Sequence, residues 1–330
     1  MVFDYWDTGV RSVEPMIAWV VGASGKIGTA VCAQLSSRGI EIVGIGRNQN
    51  RHFPYGRWVA WNPAEPDSTP VALLPPDIVY YLSGQTSAIQ ARSNVGGDVT
   101  ANVLALVNVA EAAIRFESRP HFIAAGSITE SRLDIDGLSA LQSMNVVAGF
   151  YETCKAAQRL YLTQYARESL LDFTVLRLSN VYGGTTSSAV DRGFLDQSVK
   201  AAVLWQRLVY YEGAEFVRDY IYIDDVAKAF VAAAINRNST SNKTFDIGSE
   251  RSFPIKEVML TLKKLVETKI DREVHLEAIA PPDNLHAVER QDRYVDAREF
   301  RRATGWRCEI ELSAGLISTI NKWSNQNSIQ

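Results

Sequence analysis

The sequence predicts an α/β protein, a doubly wound parallel sheet joined to a smaller C-terminal substrate-binding domain. Three observations predict it: β-rich runs alternate with helical patterns from Met16 onward, glycines cluster directly after the first run, and the rhythm becomes irregular after Leu178. At 330 residues the chain can bury the core of one large unit and a smaller one without metal or disulfide.

Ile17 to Val21 reads as the first strand and a helix starts at about Gly25, followed by strands at Glu41 to Ile45 and Asp77 to Leu82. Between Asp98 and Glu117 the residues Val99, Val103, Leu106, Val109 and Ala110 recur at helical spacing, and His121 to Ala125 is the next strand. A helix over Tyr151 to Ser169 leads into a strand at Phe173 to Leu178. The Pro-rich stretch Asn62 to Pro76 is a connection within the sheet unit, too short to be an interdomain linker. Beyond Leu178, Gly183-Gly184 and a Thr/Ser cluster precede a helix near Gly193 to Trp205, and a strand-to-helix passage spans Tyr220 to Phe230. This divides the chain into a sheet domain, residues 1–178 with about 220–245, and a substrate domain, residues 179–219 and 246–330.

With 34 Lys+Arg against 37 Asp+Glu, scattered along the chain, there is no basic footprint for nucleic acid or an anionic membrane, and a small-molecule partner is expected. Cys32, Cys154 and Cys308 lack disulfide or zinc spacing, and His52, His121, His275 and His286 share no ligand pattern, so no metal is assigned. Met1 to Pro15 carries Asp4, Asp7, Arg11 and Glu14 and lacks an apolar signal core, and no stretch reads as a membrane span. A cytoplasmic protein is expected. Asp224-Asp225 reads as a cap of the helix that follows it.

Gly22-Ala23-Ser24-Gly25-Lys26-Ile27-Gly28 lies between the first strand and the first helix, the place where a dinucleotide pyrophosphate is cradled. Glycines there let backbone N–H groups and the helix N-terminus approach the phosphates. Ser24, Lys26 and Ile27 are candidate contacts with the glycines. At the end of the second strand stands Arg47-Asn48, with Arg51 close behind and no carboxylate to take ribose hydroxyls. A guanidinium at that point suits a 2′-phosphate, so the cofactor expected is NADP(H).

Tyr151 and Lys155 stand four residues apart, on one face of a helix, where an ammonium can lower a phenol's pKa for proton transfer. Ser127 follows the strand that precedes this helix, at the edge where ligands of such sheets bind, and can bond the same substrate oxygen as Tyr151.

The set Gly22-x-x-Gly25-x-x-Gly28, Ser127 and Tyr151-x-x-x-Lys155 resembles the extended short-chain dehydrogenase/reductase family, in its NAD(P)-dependent nucleotide-sugar epimerase, dehydratase and reductase branch. Asn102-Val103, Leu176-Arg177-Leu178-Ser179-Asn180-Val181-Tyr182-Gly183 and Val217-Arg218-Asp219-Tyr220-Ile221-Tyr222-Ile223-Asp224-Asp225-Val226 resemble further family segments in the family's order. The resemblance implies a Rossmann domain, catalysis by Ser127, Tyr151 and Lys155, and a nucleoside-diphosphate sugar substrate contacted by Ser127, Asn180, Arg218 and Arg290. It also implies cofactor contacts from Leu82-Ser83-Gly84, Asn102, Tyr151 and Lys155, and a homodimer formed through the helices that carry Asn102 and Tyr151.

Departures from the pattern narrow the chemistry. Ile128 and Thr129 stand where dehydrating relatives carry Asp-Glu, and no cysteine follows Ser127 as in relatives that epimerise C3 or C5. Ala125-Gly126 replaces the usual Ser-Ser, and Leu82-Ser83-Gly84 replaces Leu-Ala-Ala. The expectation is NADPH-dependent reduction of a keto group on a nucleotide-linked sugar, a 4-keto-6-deoxyhexose, with Tyr151 as proton donor. The alternatives are a C4 epimerase that retains its NAD and, from another class, a non-catalytic dinucleotide-binding regulator.

Overall fold

In the computed structural model the chain is described at residues 15–65, 68–70, 73–133, 149–184, 193–204, 207–213, 215–281 and 291–327. Seven strands form one parallel sheet: β1 (Ile17–Val21), β2 (Glu41–Gly46), β3 (Arg57–Ala60), β4 (Ile78–Tyr81), β5 (His121–Ser127), β6 (Asp172–Leu178) and β10 (Lys243–Ile247). Their order across the sheet is β10-β6-β5-β4-β1-β2-β3, and every neighbouring pair is parallel. The direction of strand addition reverses at β1 and β4, which opens a crevice at their C-terminal ends.

Helices cover both faces because the strand residues alternate in direction. Ala18, Val20, Ile42 and Tyr80 meet Val31, Cys32 and Leu35 of α1 (Lys26–Ser36) on one face. On the other, Trp19, Val21, Val43 and Tyr81 meet Leu106, Val109 and Ala113 of α3 (Val95–Ile114), while Leu162 of α4 (Phe150–Arg167) joins the same cluster. The short α2 is Ala88–Ser93, and α3 runs Val95–Ile114. With mean hydropathy 1.3, α3 is long and apolar enough to cross a membrane by length and composition, a run the sequence reading passed over. In the fold its apolar face instead packs on the sheet.

Residues Thr100–Leu104 of α3 form a π-turn, and the locally widened winding turns Asn102 into full burial. The predicted strand at His121 to Ala125 extends to Ser127, because Ala125, Gly126 and Ser127 go on pairing with Leu176, Arg177 and Leu178. Ser127 therefore sits on the strand's last rung rather than beyond it.

The remaining elements build the second part of the molecule. They include β7 (Asn180–Tyr182), α5 (Phe194–Val203), β8 (Leu208–Tyr211), β9 (Val217–Tyr222) and α6 (Ile223–Ile235), the last of which returns to cover the sheet through Phe230. After β10 come β11 (Ser252–Pro254), α7 (Ile255–Ile270), β12 (Leu276–Ile279), α8 (Arg298–Thr304) and α9 (Leu312–Asn327). Strand β9 pairs with β7 and β11, and β8 pairs with β12. Tyr182, Leu195, Val199, Met259, Leu262, Leu316 and Ile320 form their shared core. Asp225 does not cap α6: its Oδ2 accepts from the backbone of Glu309 at 3.0 Å and Ile310 at 2.8 Å, tying the start of that helix to the segment before α9.

His121 opens β5 fully buried, with Nε2 2.8 Å from Thr174 Oγ1, and burial pushes its pKa down to about 3. Below about pH 6.5 the unfolded chain takes up a proton here and the folded chain does not, so stability falls as pH drops from about 6.5 towards 3. At pH 5 this one group is expected to cost about 2 kcal/mol relative to pH 7.5. Urea unfolding at the two pH values should show a smaller loss in His121→Gln, and an equal loss in both proteins would refute the assignment.

Candidate active site

An open cleft of about 2960 Å³ runs from the glycine turn, along the C-terminal ends of β1, β4 and β5, to the sheet of β7 and β9. Ser24, Gly25, Lys26, Ile27, Arg47 and Asn48 line its first end. Leu82, Ser83, Gly84, Ser127, Tyr151 and Lys155 line its middle, and Asn180, Arg218 and Arg293 its far end.

The first end is built from backbone. Gly22 N donates to Ile45 O at 2.8 Å, so the turn is pinned across β1 to β2. Gly28 allows α1 to close on it: a Cβ there would lie 2.1 Å from Gly22 O. Helix α1 has no side-chain cap and no acidic residue in its first turn. Its first N–H groups and its dipole thus favour an anion at the cleft. Gly22 and Gly28 shape this cradle from behind without lining it, Arg47 and Asn48 are exposed at its rim, and Arg51 lies outside it. Lys26 is committed elsewhere, in an ion pair with buried Asp196 of α5, whose other oxygen accepts from Gly183 N at 2.8 Å.

In the middle, the Tyr151 and Lys155 side chains leave α4 on one face and approach the end of β5. Ser127 Oγ lies 2.8 Å from Thr129 Oγ1 and also hydrogen-bonds the Tyr151 phenol. Burial pushes the Tyr151 pKa well above its ordinary value; the Ser127 bond opposes this, while Glu130, Glu152 and Asp98 add to it. The sequence reading has Lys155 lowering the phenol's pKa, whereas in the fold burial and the three carboxylates raise it. Lys155 is buried, and its Nζ donates to Ala125 O at 2.9 Å and Gln158 Oε1 at 3.1 Å. Burial brings its pKa down to about 8, against the pull of Glu130, Asp98 and Cys154.

Asn102 is behind the wall rather than on it. Its Nδ2 donates to Gln85 O at 3.2 Å and Asp98 Oδ1 at 2.9 Å, and its backbone carbonyl accepts from Gln158 Nε2 at 2.6 Å. Through Gln158 it braces Lys155. Asn102 Oδ1 is a buried acceptor without a hydrogen-bond partner among the described residues.

At the far end Asn180 Nδ2 donates to Asp219 O at 2.8 Å, and Arg293 Nη1 donates to Asn180 Oδ1 at 3.4 Å. Arg218 is nearly fully buried, with Nη1 donating to Val217 O at 3.0 Å and Gln291 O at 2.6 Å. Arg290 lies outside the described residues. Arg293, which sequence reasoning missed, brings a second guanidinium to the cleft; no motif surrounds it, and only the fold brings it beside Asn180. Two guanidiniums and an amide at one mouth suit a diphosphate. Among the described residues no group of three His, Cys, Asp or Glu could hold a metal ion.

Known proteins are similar to this chain in sequence and fold. A protein of Mycolicibacterium smegmatis named UDP-glucose 4-epimerase is 25% identical over 321 residues, covering 93% of this chain and 98% of its own. A putative UDP-glucose 4-epimerase of Methanocaldococcus jannaschii is 21% identical, with the same coverages. The crystal structure of a Thermotoga maritima UDP-glucose 4-epimerase with UDP-glucose superposes with TM-score 0.76 at 20% identity, over 96% of this chain and 100% of that one. RMD from Pseudomonas aeruginosa complexed with NADPH superposes with TM-score 0.73 at 18% identity, over 94% and 99%. Residues 18–248 match the model of one family over most of the chain's length, and the chain belongs to that family, the NAD dependent epimerase/dehydratase family.

Proposed function

We propose that the chain acts on a nucleoside-diphosphate sugar as a 4-epimerase, using a nicotinamide dinucleotide held in the first end of the cleft. The observation that carries this reading is the single cleft in which Ser127 and Tyr151 stand between an anion-binding helix end and a mouth with two arginines. The names of the full-length relatives support epimerisation better than the net ketone reduction expected from sequence. As part of the same reading, residues 1–178 with about 220–245 bind the dinucleotide, and 179–219 with 246–330 bind the sugar nucleotide.

The cradle formed by Gly22, Gly25 and Gly28 and the cation Lys155 fit such a cofactor. When bound, it supplies reversible hydride acceptance. The protein's own groups do the rest. Ser127 positions the sugar oxygen, Tyr151, ionised to its phenolate, takes the hydroxyl proton from that oxygen and as phenol returns it, and Lys155 holds ribose hydroxyls. Arg218 and Arg293 pair with the diphosphate, with Asn180 beside them. Exposed Val99 and Leu104 on α3, and Leu160 and Tyr161 on α4, support a homodimer through these two helices.

One observation favours the reductase and its NADP(H). A Cβ on Gly46 would lie 2.6 Å from the Trp58 ring, so the end of β2 has no room for a carboxylate, and Arg47 is next to it. Arg47→Asp is expected to weaken NADPH binding by roughly 10–100-fold, the strength of a charge-assisted hydrogen bond, and to leave NADH binding little changed. Equal losses for both nucleotides in a titration would remove Arg47 from the cofactor site. The two reactions separate directly. A protein that interconverts UDP-glucose and UDP-galactose without added cofactor, and releases dinucleotide on denaturation, is the epimerase. One that does neither, but oxidises NADPH with a keto-sugar nucleotide, is the reductase.

A further inference from the structure

Behind the Ser127–Tyr151–Lys155 group lies a buried carboxyl that no role above uses. Glu130 stands in the 3-10 turn Ile128–Leu133 that follows β5, with no exposed surface. Its Oε2 accepts from Ser127 N at 3.2 Å, and its Oε1 is 3.6 Å from Arg159 Nε of α4. Gly126 leaves space beside it: a Cβ there would lie 2.8 Å from Val175 Cγ1 and 3.1 Å from Glu130 Oε2. Gly126, which stands where relatives carry serine, leaves space that Val175 and Glu130 share.

We infer that Glu130 is a positioning residue of the active site, which fixes the backbone that aims Ser127 and sets a buried carboxylate against the cations of α4. The charges that face it come from each neighbouring element: Lys155 and Arg159 from α4, and Arg177, itself paired with Asp246, from β6. Lys155 is in turn faced by Glu130 and by Asp98 of α3, and both favour its charged form. A buried ammonium loses its proton readily unless a carboxylate is close, and here Glu130 stands first among the groups that oppose the loss. Its burial raises its own pKa, so the support disappears as Glu130 takes up a proton.

The inference rests on the cofactor part of the proposed function, and its test needs neither sugar nor turnover. The titration of Lys155 is followed by NMR of ¹³C-lysine-labelled protein, the signal being identified by its loss in Lys155→Arg. In the unaltered protein it should centre near pH 8 and show a second, smaller inflection where Glu130 ionises. In Glu130→Gln, which keeps the side chain's shape and loses its charge, the midpoint should fall by about one unit. The pH above which dinucleotide binding fades should fall with it, while Glu130→Asp stays close to the unaltered protein. An unmoved midpoint in folded Glu130→Gln overturns the inference. Should that variant not fold, a Lys155 signal in the unaltered protein without the acid inflection overturns it equally. Either result leaves the epimerase assay untouched, and an inactive epimerase leaves the titration readable.

Discussion

Tyr151→Phe is expected to lower turnover by roughly 10²–10⁴-fold, the usual contribution of a positioned acid or base, while the protein folds and binds dinucleotide as before. The phenol hydrogen-bonds Ser127 and is the group proposed to exchange the proton with the sugar oxygen. Removing one oxygen from a ring on the cleft wall leaves no cavity. The proton then has no path to the sugar oxygen, so the loss should appear in kcat far more than in KM. Circular dichroism, a nucleotide titration and steady-state kinetics on one preparation would decide it. Turnover above a tenth of the original would show that another group carries the proton.

Gly28→Ala is expected to be the most damaging small substitution at the dinucleotide end. Its methyl would lie 2.1 Å from Gly22 O and 2.8 Å from Ala23 Cα, both backbone atoms of the turn. No side chain can swing aside, so α1 or the turn must shift, at about 1–3 kcal/mol or more. A shift of that size moves the N–H groups aimed at the phosphates, and affinity for the dinucleotide should fall on the order of 100-fold. Gly25→Ala is the internal comparison: its methyl would be 3.1 Å from the same oxygen, a contact that a small adjustment relieves. Calorimetric titration and thermal melts of both variants test the ranking. Equal affinities in Gly28→Ala and the unaltered protein would refute the geometry of the cradle.

What the sequence revealed follows from range. Strand β1, its glycine turn and α1 were legible because a buried run, a turn and a periodic helix are local patterns, and Tyr151 with Lys155 was legible because one helical turn joins them. Strand β3 escaped because four residues between Gly56 and a Pro-rich loop carry no period, and β11 and β12 are as short. Arg293 and Glu130 escaped for another reason. Arg293 reaches the cleft from 113 residues beyond the Asn180 it touches, and the burial of Glu130 depends on Gly126 and on packing by α4 and β6. Arg47 shows the opposite hazard. Its local context was clear enough to favour NADP(H), yet it did not determine the reaction.

The seventh strand of the sheet has a consequence for how the chain is made. Strand β10 pairs with β6, Phe245 opposite Leu176, so the outer edge of β6 is covered only by residues that leave the ribosome long after β6 itself. Throughout that interval Phe173 to Leu178 presents unpaired backbone beside an apolar face, an edge that invites pairing with another nascent chain. The elements between the two strands, β7 through α6, are thus a delay built into biosynthesis. A chain stalled or cleaved within them would be the aggregating species, and the arrival of Lys243–Ile247 moves the sheet edge from β6 to β10, where Phe300 of α8 packs on Phe245.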